Sequence, residues 1–325
     1  MQADIELIKK ITCGALEVEE QNGAIVFHRF TEAQRKVYES NHGFWLKTFA
    51  DSGIRLEFAT DATKFSMRGR VAEASSRTFC FFDICVNGAL VRHVGTHSIT
   101  EEPDFAFEVG LPEGTNRVAV YLPGLSKTML ESLEFTGATK VEPVAKKRRI
   151  LCYGDSITQG YDARYPSLAY TNIVADVLDA EVVNKAIGGD RFNPELAELP
   201  DAGPFDLVTV GYGTNDWRHH TRENMEHDSR EFFVNLRKSY PGTPIVAVLP
   251  IWRSNWDLVT EVGTFADATR IIRKAAEGID GITLVDGTTL TPRLMNFYSD
   301  GLHPNEFGFM FYTRNLYASL PEEFK

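Results

Sequence analysis

The hydrophobic period of this 325-residue chain changes near its middle, and no single layer of secondary structure accommodates both periods. Before about residue 137 the apolar positions recur every second residue. Ile54, Leu56 and Phe58 alternate with Arg55, Glu57 and Ala59, and Phe65, Met67 and Val71 continue the pattern past Gly69. Residues 79–86 are apolar on both faces except Asp83, and they end in Asn87-Gly88, a hairpin signal. Phe105, Phe107 and Val109 alternate again, then a turn at Leu111-Pro112-Glu113-Gly114 precedes Val118, Val120 and Leu122. Short strands punctuated by turns predict an all-β, jelly-roll-like sandwich over residues 1–143. The chain holds 22 Phe, and those on these strands are expected as core filler. A lesser alternative makes some of these rings, with Trp45, a sugar-stacking surface.

Residues 137–149 are polar and basic (Lys140, Glu142, Pro143, Lys146, Lys147, Arg148, Arg149) and read as a solvated linker. Beyond them short buried strands at 150–153, 182–183, 207–210, 245–249 and 282–285 alternate with helical stretches. The helices are expected at about 167–179, with Ser167 as N-cap, at 224–240, at 265–277 and after Pro304. That alternation predicts an α/β domain over residues 144–325: a parallel sheet covered on both faces, with ligands outside the carboxyl ends of its strands.

Charge and composition narrow the partners. With 45 acidic and 34 basic residues the net charge is −11, which argues against nucleic-acid and anionic-membrane binding. No run of about 18 apolar residues exists to cross a membrane. The first 20 residues show no signal-peptide apolar region, and Cys13, Cys80, Cys85 and Cys152 are scattered without metal spacing. The expectation is reduced thiols and a cytoplasmic protein, with a homo-oligomer left open.

Four strand-end loops carry the chemistry. The first strand runs into Gly154-Asp155-Ser156, which can present a serine hydroxyl and its own N–H at the strand end. The second runs into Gly188-Gly189-Asp190, where a glycine lets backbone N–H groups approach a substrate oxygen. The third runs into Gly213-Thr214-Asn215-Asp216, whose Asn215 offers a neutral amide donor to a developing oxyanion. Near the C-terminus, Asp300-Gly301-Leu302-His303 closed by Pro304 lets Asp300 fix the tautomer of His303, leaving the other ring nitrogen as a general base. Together they supply nucleophile, base, orienter and oxyanion donors.

In this order the four loops resemble the blocks of the SGNH (GDSL-type) hydrolase family, over roughly residues 149–325. The resemblance implies a flavodoxin-like sheet, ester hydrolysis through an acyl-enzyme, and neither metal nor cofactor. It assigns Ser156 as nucleophile, His303 as base and Asp300 as its partner. The oxyanion hole becomes the N–H groups of Ser156 and Gly189 with the Asn215 side chain. Gly189 is preferred to Gly188 because an acidic residue, Asp190, follows it.

An all-β domain ahead of an SGNH domain is similar to the arrangement of two-domain carbohydrate esterases, among them acetyl-xylan esterases. The expected substrate is therefore a small acyl ester, acetyl foremost, on an oligosaccharide or small molecule. Trp217 and Arg218, and Trp252, Arg253 and Trp256, follow strand ends, so Trp217 and Trp252 are candidate sugar-stacking contacts. His219-His220 has no ligand-spaced partner, so no metal site is expected, and His28, His42, His93 and His97 read as ordinary polar residues. Three alternatives stay open: acyl transfer by the same site, a lipase-like esterase, and a non-catalytic carbohydrate-binding protein.

Overall fold

A computed structural model describes residues 1–325. Helix α1 (Ile5–Ile11) leads into strands β1 (Thr12–Cys13), β2 (Glu17–Gln21) and β3 (Ala24–His28). Two short helices follow, α2 (Glu32–Lys36) and α3 (His42–Lys47). Strands β4 (Arg55–Thr60), β5 (Lys64–Glu73), β6 (Cys80–Val86), β7 (Ala89–Thr96), β8 (Asp104–Gly110), β9 (Asn116–Tyr121), β10 (Ser126–Thr136) and β11 (Val141–Pro143) complete the region. They form two antiparallel sheets, β1-β4-β9-β6-β7 with β11 beside β4, and β2-β3-β10-β5-β8. Between them lies a core built from Leu56, Phe58, Phe65, Phe82, Val118, Val120 and Phe135, the inward positions of the alternating runs.

The second region contains β12 (Arg148–Gly154), α4 (Ser156–Gln159), α5 (Tyr170–Val177), β13 (Ala180–Asn184), α6 (Pro194–Ala197), β14 (Leu207–Gly211), α7 (Thr214–His219) and α8 (Arg222–Ser239). It ends with β15 (Ile245–Val248), α9 (Phe265–Ala276), β16 (Ile282–Val285) and α10 (Glu306–Ser319). The five strands are parallel in the order β13-β12-β14-β15-β16, a flavodoxin-like arrangement. Its switch point lies between β12 and β14, so the loops after these two strands face one crevice. The chain is thus a flavodoxin-like α/β region preceded by an antiparallel β-sandwich.

The two regions share more than a linker. Phe30 and Tyr38, from the sandwich side, are buried in the same cluster as Leu151, Val183, Val210 and Phe192 of the α/β sheet. Arg55 Nη1 meets Asp176 Oδ1 at 2.6 Å across the junction. The basic stretch before β12 is mostly exposed, but Lys146 turns inward, 2.7 Å from Glu57 with its side chain buried, and β11 adds to the sandwich sheet.

Other local expectations also change. The helix anticipated from residue 167 begins at Tyr170, after a 3₁₀ turn at Pro166–Leu168. Ser167 does not cap it. Its N–H and hydroxyl both donate to the buried Asp83, at 2.9 and 2.6 Å, so the one charge in the apolar β6 run is a pin between regions. His93 completes that pin at 2.7 Å, and His28 pairs with Glu19 at 3.0 Å, so neither histidine is unpartnered.

Candidate active site

The loop after β12 is sterically dictated. A Cβ on Gly154 would collide with the Thr158 side chain and stand 2.9 Å from the Gly211 carbonyl oxygen, so the turn requires glycine. Asp155 caps α4 by accepting from the Ile157 N–H at 2.9 Å. Burial pushes the Asp155 carboxyl up to about 7, and the Ile157 N–H opposes that rise. The cap leaves Ser156 at the first helical position, with its own N–H free of any protein acceptor.

Ser156 Oγ lies 2.8 Å from His303 Nε2, and His303 Nδ1 lies 2.7 Å from Asp300 Oδ2. Asp300 Oδ1 also accepts from the N–H groups of Leu302, at 3.0 Å, and His303, at 2.8 Å. Burial works against the Asp300 charge, but the imidazole and these backbone donors outweigh it and hold the carboxyl well below the usual range. An ionised Asp300 can only accept. It therefore selects the tautomer with hydrogen on Nδ1, leaving Nε2 to accept from the serine hydroxyl.

The groups expected as oxyanion donors lie in the loops after β13 and β14. Asn215 Nδ2 donates to the Asp190 carbonyl at 3.0 Å, and its second amide hydrogen has no protein acceptor. Gly188 and Gly189 differ sharply. The Gly188 N–H is taken by Gln159 Oε1 at 2.6 Å, whereas Gly189 is exposed, holds φ +88°, and has an N–H with no acceptor in the protein.

This loop is braced by the sandwich region. Lys47 Nζ donates to the Gly188 carbonyl at 2.6 Å and Tyr38 OH to Asp190 Oδ2 at 2.7 Å. The fully buried Arg29 donates to the Asn184 and Ala186 carbonyls, at 2.5 and 2.8 Å, and to those of Ala50 and Lys47. Burial pushes the Asp190 carboxyl up to about 6, and the Tyr38 hydroxyl is the main opposing contact.

A second group closes over His303. The Tyr161 ring stacks on the imidazole at 5.6 Å between centroids. Asp162 Oδ2 stands 3.6 Å from Nδ1 and is gripped by Arg77 through Nε, at 2.7 Å, and Nη2, at 3.1 Å. Asp162, Asp300 and His303 bring ligand-type atoms within 4.8 Å of one another. Arg77 donates to both Asp162 oxygens, and Asp300 Oδ2 is taken by Nδ1.

Ser156, His303 and Asp300 are thus linked by direct contacts, and Asn215 is tied to the Gly189-Asp190 loop through the Asp190 carbonyl. Trp217 does not join them. It is fully buried, donates from Nε1 to the Gly263 carbonyl at 3.0 Å and packs edge-on against Phe265, so it has no face for a sugar. Trp252 is half-buried against Tyr298, while Trp256 on the same loop is 49% exposed. Sequence reading missed Arg29, Lys47, Tyr38, Tyr161, Asp162 and Arg77. A local signal existed only for the first group: Thr31 and Gln34 form a capping box that announces α2.

The model of the GDSL-like lipase/acylhydrolase family matches residues 152–309. No curated protein sequence matches the chain. Among solved structures, the salicylyl-acyltransferase SsfX3 of a tetracycline biosynthetic pathway superposes with a TM-score of 0.83 at 24% identity, covering 95% of this chain and 93% of that one. A family two carbohydrate esterase from Cellvibrio japonicus gives 0.66 at 16% identity, with 95% and 94% covered. An acetyl xylan esterase (Est2A) from the rumen bacterium Butyrivibrio proteoclasticus gives 0.64 at 14%, with 97% and 96% covered. These likenesses extend over both regions and are likenesses of fold. The family match lies within the α/β domain, which is similar to the GDSL-like lipase/acylhydrolases, and these likenesses support a carboxylic ester hydrolase.

Proposed function

We propose that this protein is a serine esterase that removes small acyl groups, acetyl foremost, from a carbohydrate. The observation that carries the reading is the unbroken line Asp300–His303–Ser156, with bonds of 2.7 and 2.8 Å. His303 Nε2 takes the Ser156 proton as Oγ attacks the ester carbonyl carbon. The oxyanion forms against the free N–H groups of Ser156 and Gly189 and the second amide hydrogen of Asn215. Collapse breaks the bond to the leaving alcohol, which takes the proton from Nε2 and leaves an acyl-serine. Water, deprotonated by the same nitrogen, then releases the acid and restores Ser156.

The sugar part of the reading draws on the carbohydrate esterases of like fold, and on Trp256 and Trp252 at the β15 strand end as the stacking platform in place of Trp217. Four free cysteines fit a reducing compartment such as the cytoplasm. Ser156→Ala is expected to keep the fold and lose both p-nitrophenyl acetate hydrolysis and fluorophosphonate labelling. Wild-type turnover by folded Ser156→Ala would sink the assignment. A marked preference for long acyl chains over acetylated xylo-oligosaccharides would remove the carbohydrate part alone.

A second reading, acyl transfer to a hydroxyl other than water, is favoured by the full-length likeness to an acyltransferase. Product analysis with an added sugar acceptor separates it from hydrolysis.

A further inference from the structure

The cluster over His303 has no part in the mechanism above, yet it is the most direct contact of the sandwich region with the reacting groups. Arg77 lies between β5 and β6, 85 positions before Asp162 in the chain. Its guanidinium grips both Asp162 oxygens and lies 5.0 Å from the centroid of the Tyr161 ring, whose neighbour in the stack is His303. Asp162 itself sits at φ +66°, a left-handed conformation uncommon for a residue other than glycine. Ser76, beside Arg77, reaches the Tyr161 hydroxyl at 3.4 Å.

We propose that Asp162 is a second orienting carboxylate for the His303 imidazole, and that Arg77 meters its charge, so that the sandwich region tunes the base of the hydrolase site. The proposal rests on the reading of His303 as the base that activates Ser156. At 3.6 Å from Nδ1, Asp162 Oδ2 is beyond hydrogen-bond distance and acts through its field, while Asp300 makes the bond. When His303 takes the serine proton, the imidazolium faces two carboxylates, one of them partly neutralised by Arg77. Should Asp300 lose its charge, Asp162 is the carboxylate next in line for the Nδ1 proton. The other groups around the ring are Ser156 at Nε2 and Tyr161 on its face. Asp155 is close enough to feel the His303 charge, and Arg253 those of Asp155 and Asp300. No other charged side chain makes an ion pair with the imidazole.

Asp162 and Arg77 are thus positioning residues, and their signature is a shift in pH dependence. The acid limb of kcat/KM reports protonation of the free-enzyme base. Asp162→Asn removes a negative charge from its surroundings, so the limb moves to lower pH. Arg77→Met strips Asp162 of its counter-charge, so the limb moves to higher pH. Each displacement is expected to be about 0.5 pH unit. In an Asp300→Asn background, Asp162→Asn is expected to cost at least about tenfold more in kcat/KM than it does alone. Asparagine keeps the side-chain shape and tolerates the left-handed backbone, and Arg77→Met carries the test independently should Asp162→Asn not fold.

The experiment is the pH profile of p-nitrophenyl acetate hydrolysis for the full-length wild type, the three single variants, the Asp162/Asp300 double variant and Ser156→Ala. Opposite displacements of the acid limb by Asp162→Asn and Arg77→Met, with synergy in the double variant, support the proposal. Unmoved limbs with equal Asp162→Asn factors in both backgrounds, while Ser156→Ala is dead, overturn this proposal alone. Wild-type activity in Ser156→Ala overturns the esterase reading, and the proposal falls with it.

Discussion

At the scale of single residues, the candidate site divides into groups proposed to act and groups that hold them. Ser156, His303, Asp300 and Asn215 were legible because each sits in a short strand-end loop whose neighbours are themselves diagnostic. Trp217 was misread for a geometric reason. It stands two residues after Asn215, and two residues on an α-helix are a rotation of about 200°, so one side chain faces the crevice and the other the core. Asp162, Tyr161 and Arg77 were illegible because their partner lies far away in sequence and no local pattern ties them to it. Asn215 carries a sharper expectation. Its Nδ2 already holds the Asp190 carbonyl, so in the proposed mechanism the remaining hydrogen is the one offered to the oxyanion. Asn215→Ala should lower kcat by about 10²–10³ with little change in KM, the usual cost of one lost oxyanion donor. Steady-state kinetics on p-nitrophenyl acetate, with the near-ultraviolet spectrum as a fold control, would show it. An equal loss in an unrelated loop variant would point instead to general loosening.

At the scale of elements, the segment between β3 and β4 was invisible to a period-two reading of the sandwich. It is helical, through α2 and α3, and it supplies Arg29, Tyr38, Phe44 and Lys47 to the oxyanion loop. Gly189 holds φ +88° and Phe44 stands 3.3 Å from where its Cβ would be, so a side chain at this position would be strained. Arg29 is the keystone of this contact, with four carbonyls on one planar fork. Arg29→Lys keeps the charge but cannot serve all four at once, and buried carbonyls left unpaired cost about 1–3 kcal/mol each. A loss of at least about 2 kcal/mol is therefore expected from two such groups. Urea denaturation measures the loss, and kcat should fall alongside it because Gly189 is no longer fixed. Stability lost with kcat intact would mean that the brace and the oxyanion N–H are independent.

At the scale of the whole molecule, composition and period suggested two bodies joined by a solvated linker, and the fold classes of both were legible from period alone. How they join was not, because the junction is made by groups that look ordinary in sequence: a serine expected as a cap, an aspartate in an apolar strand, and lysine and arginine in a basic run. Asp83 is fully buried and holds Ser167 by two bonds, and Arg55, buried beside Glu57 and Lys146, reaches the half-exposed Asp176 across the junction. Phe30 and Tyr38 extend the α/β core into the sandwich side. Separating the regions would take Ser167 from the buried Asp83, part Arg55 from Asp176 and expose these rings, and a buried group left without its partner costs about 1–3 kcal/mol or more. The two regions should accordingly unfold together. Calorimetry is expected to give one transition whose van't Hoff and calorimetric enthalpies agree. Asp83→Ala should lower that transition as a unit, because the penalty falls on both sides of the junction. Two resolved transitions in the wild type, with esterase activity lost only at the second, would show that the sandwich is a separable appendage and that the bracing of Gly189 and His303 is dispensable.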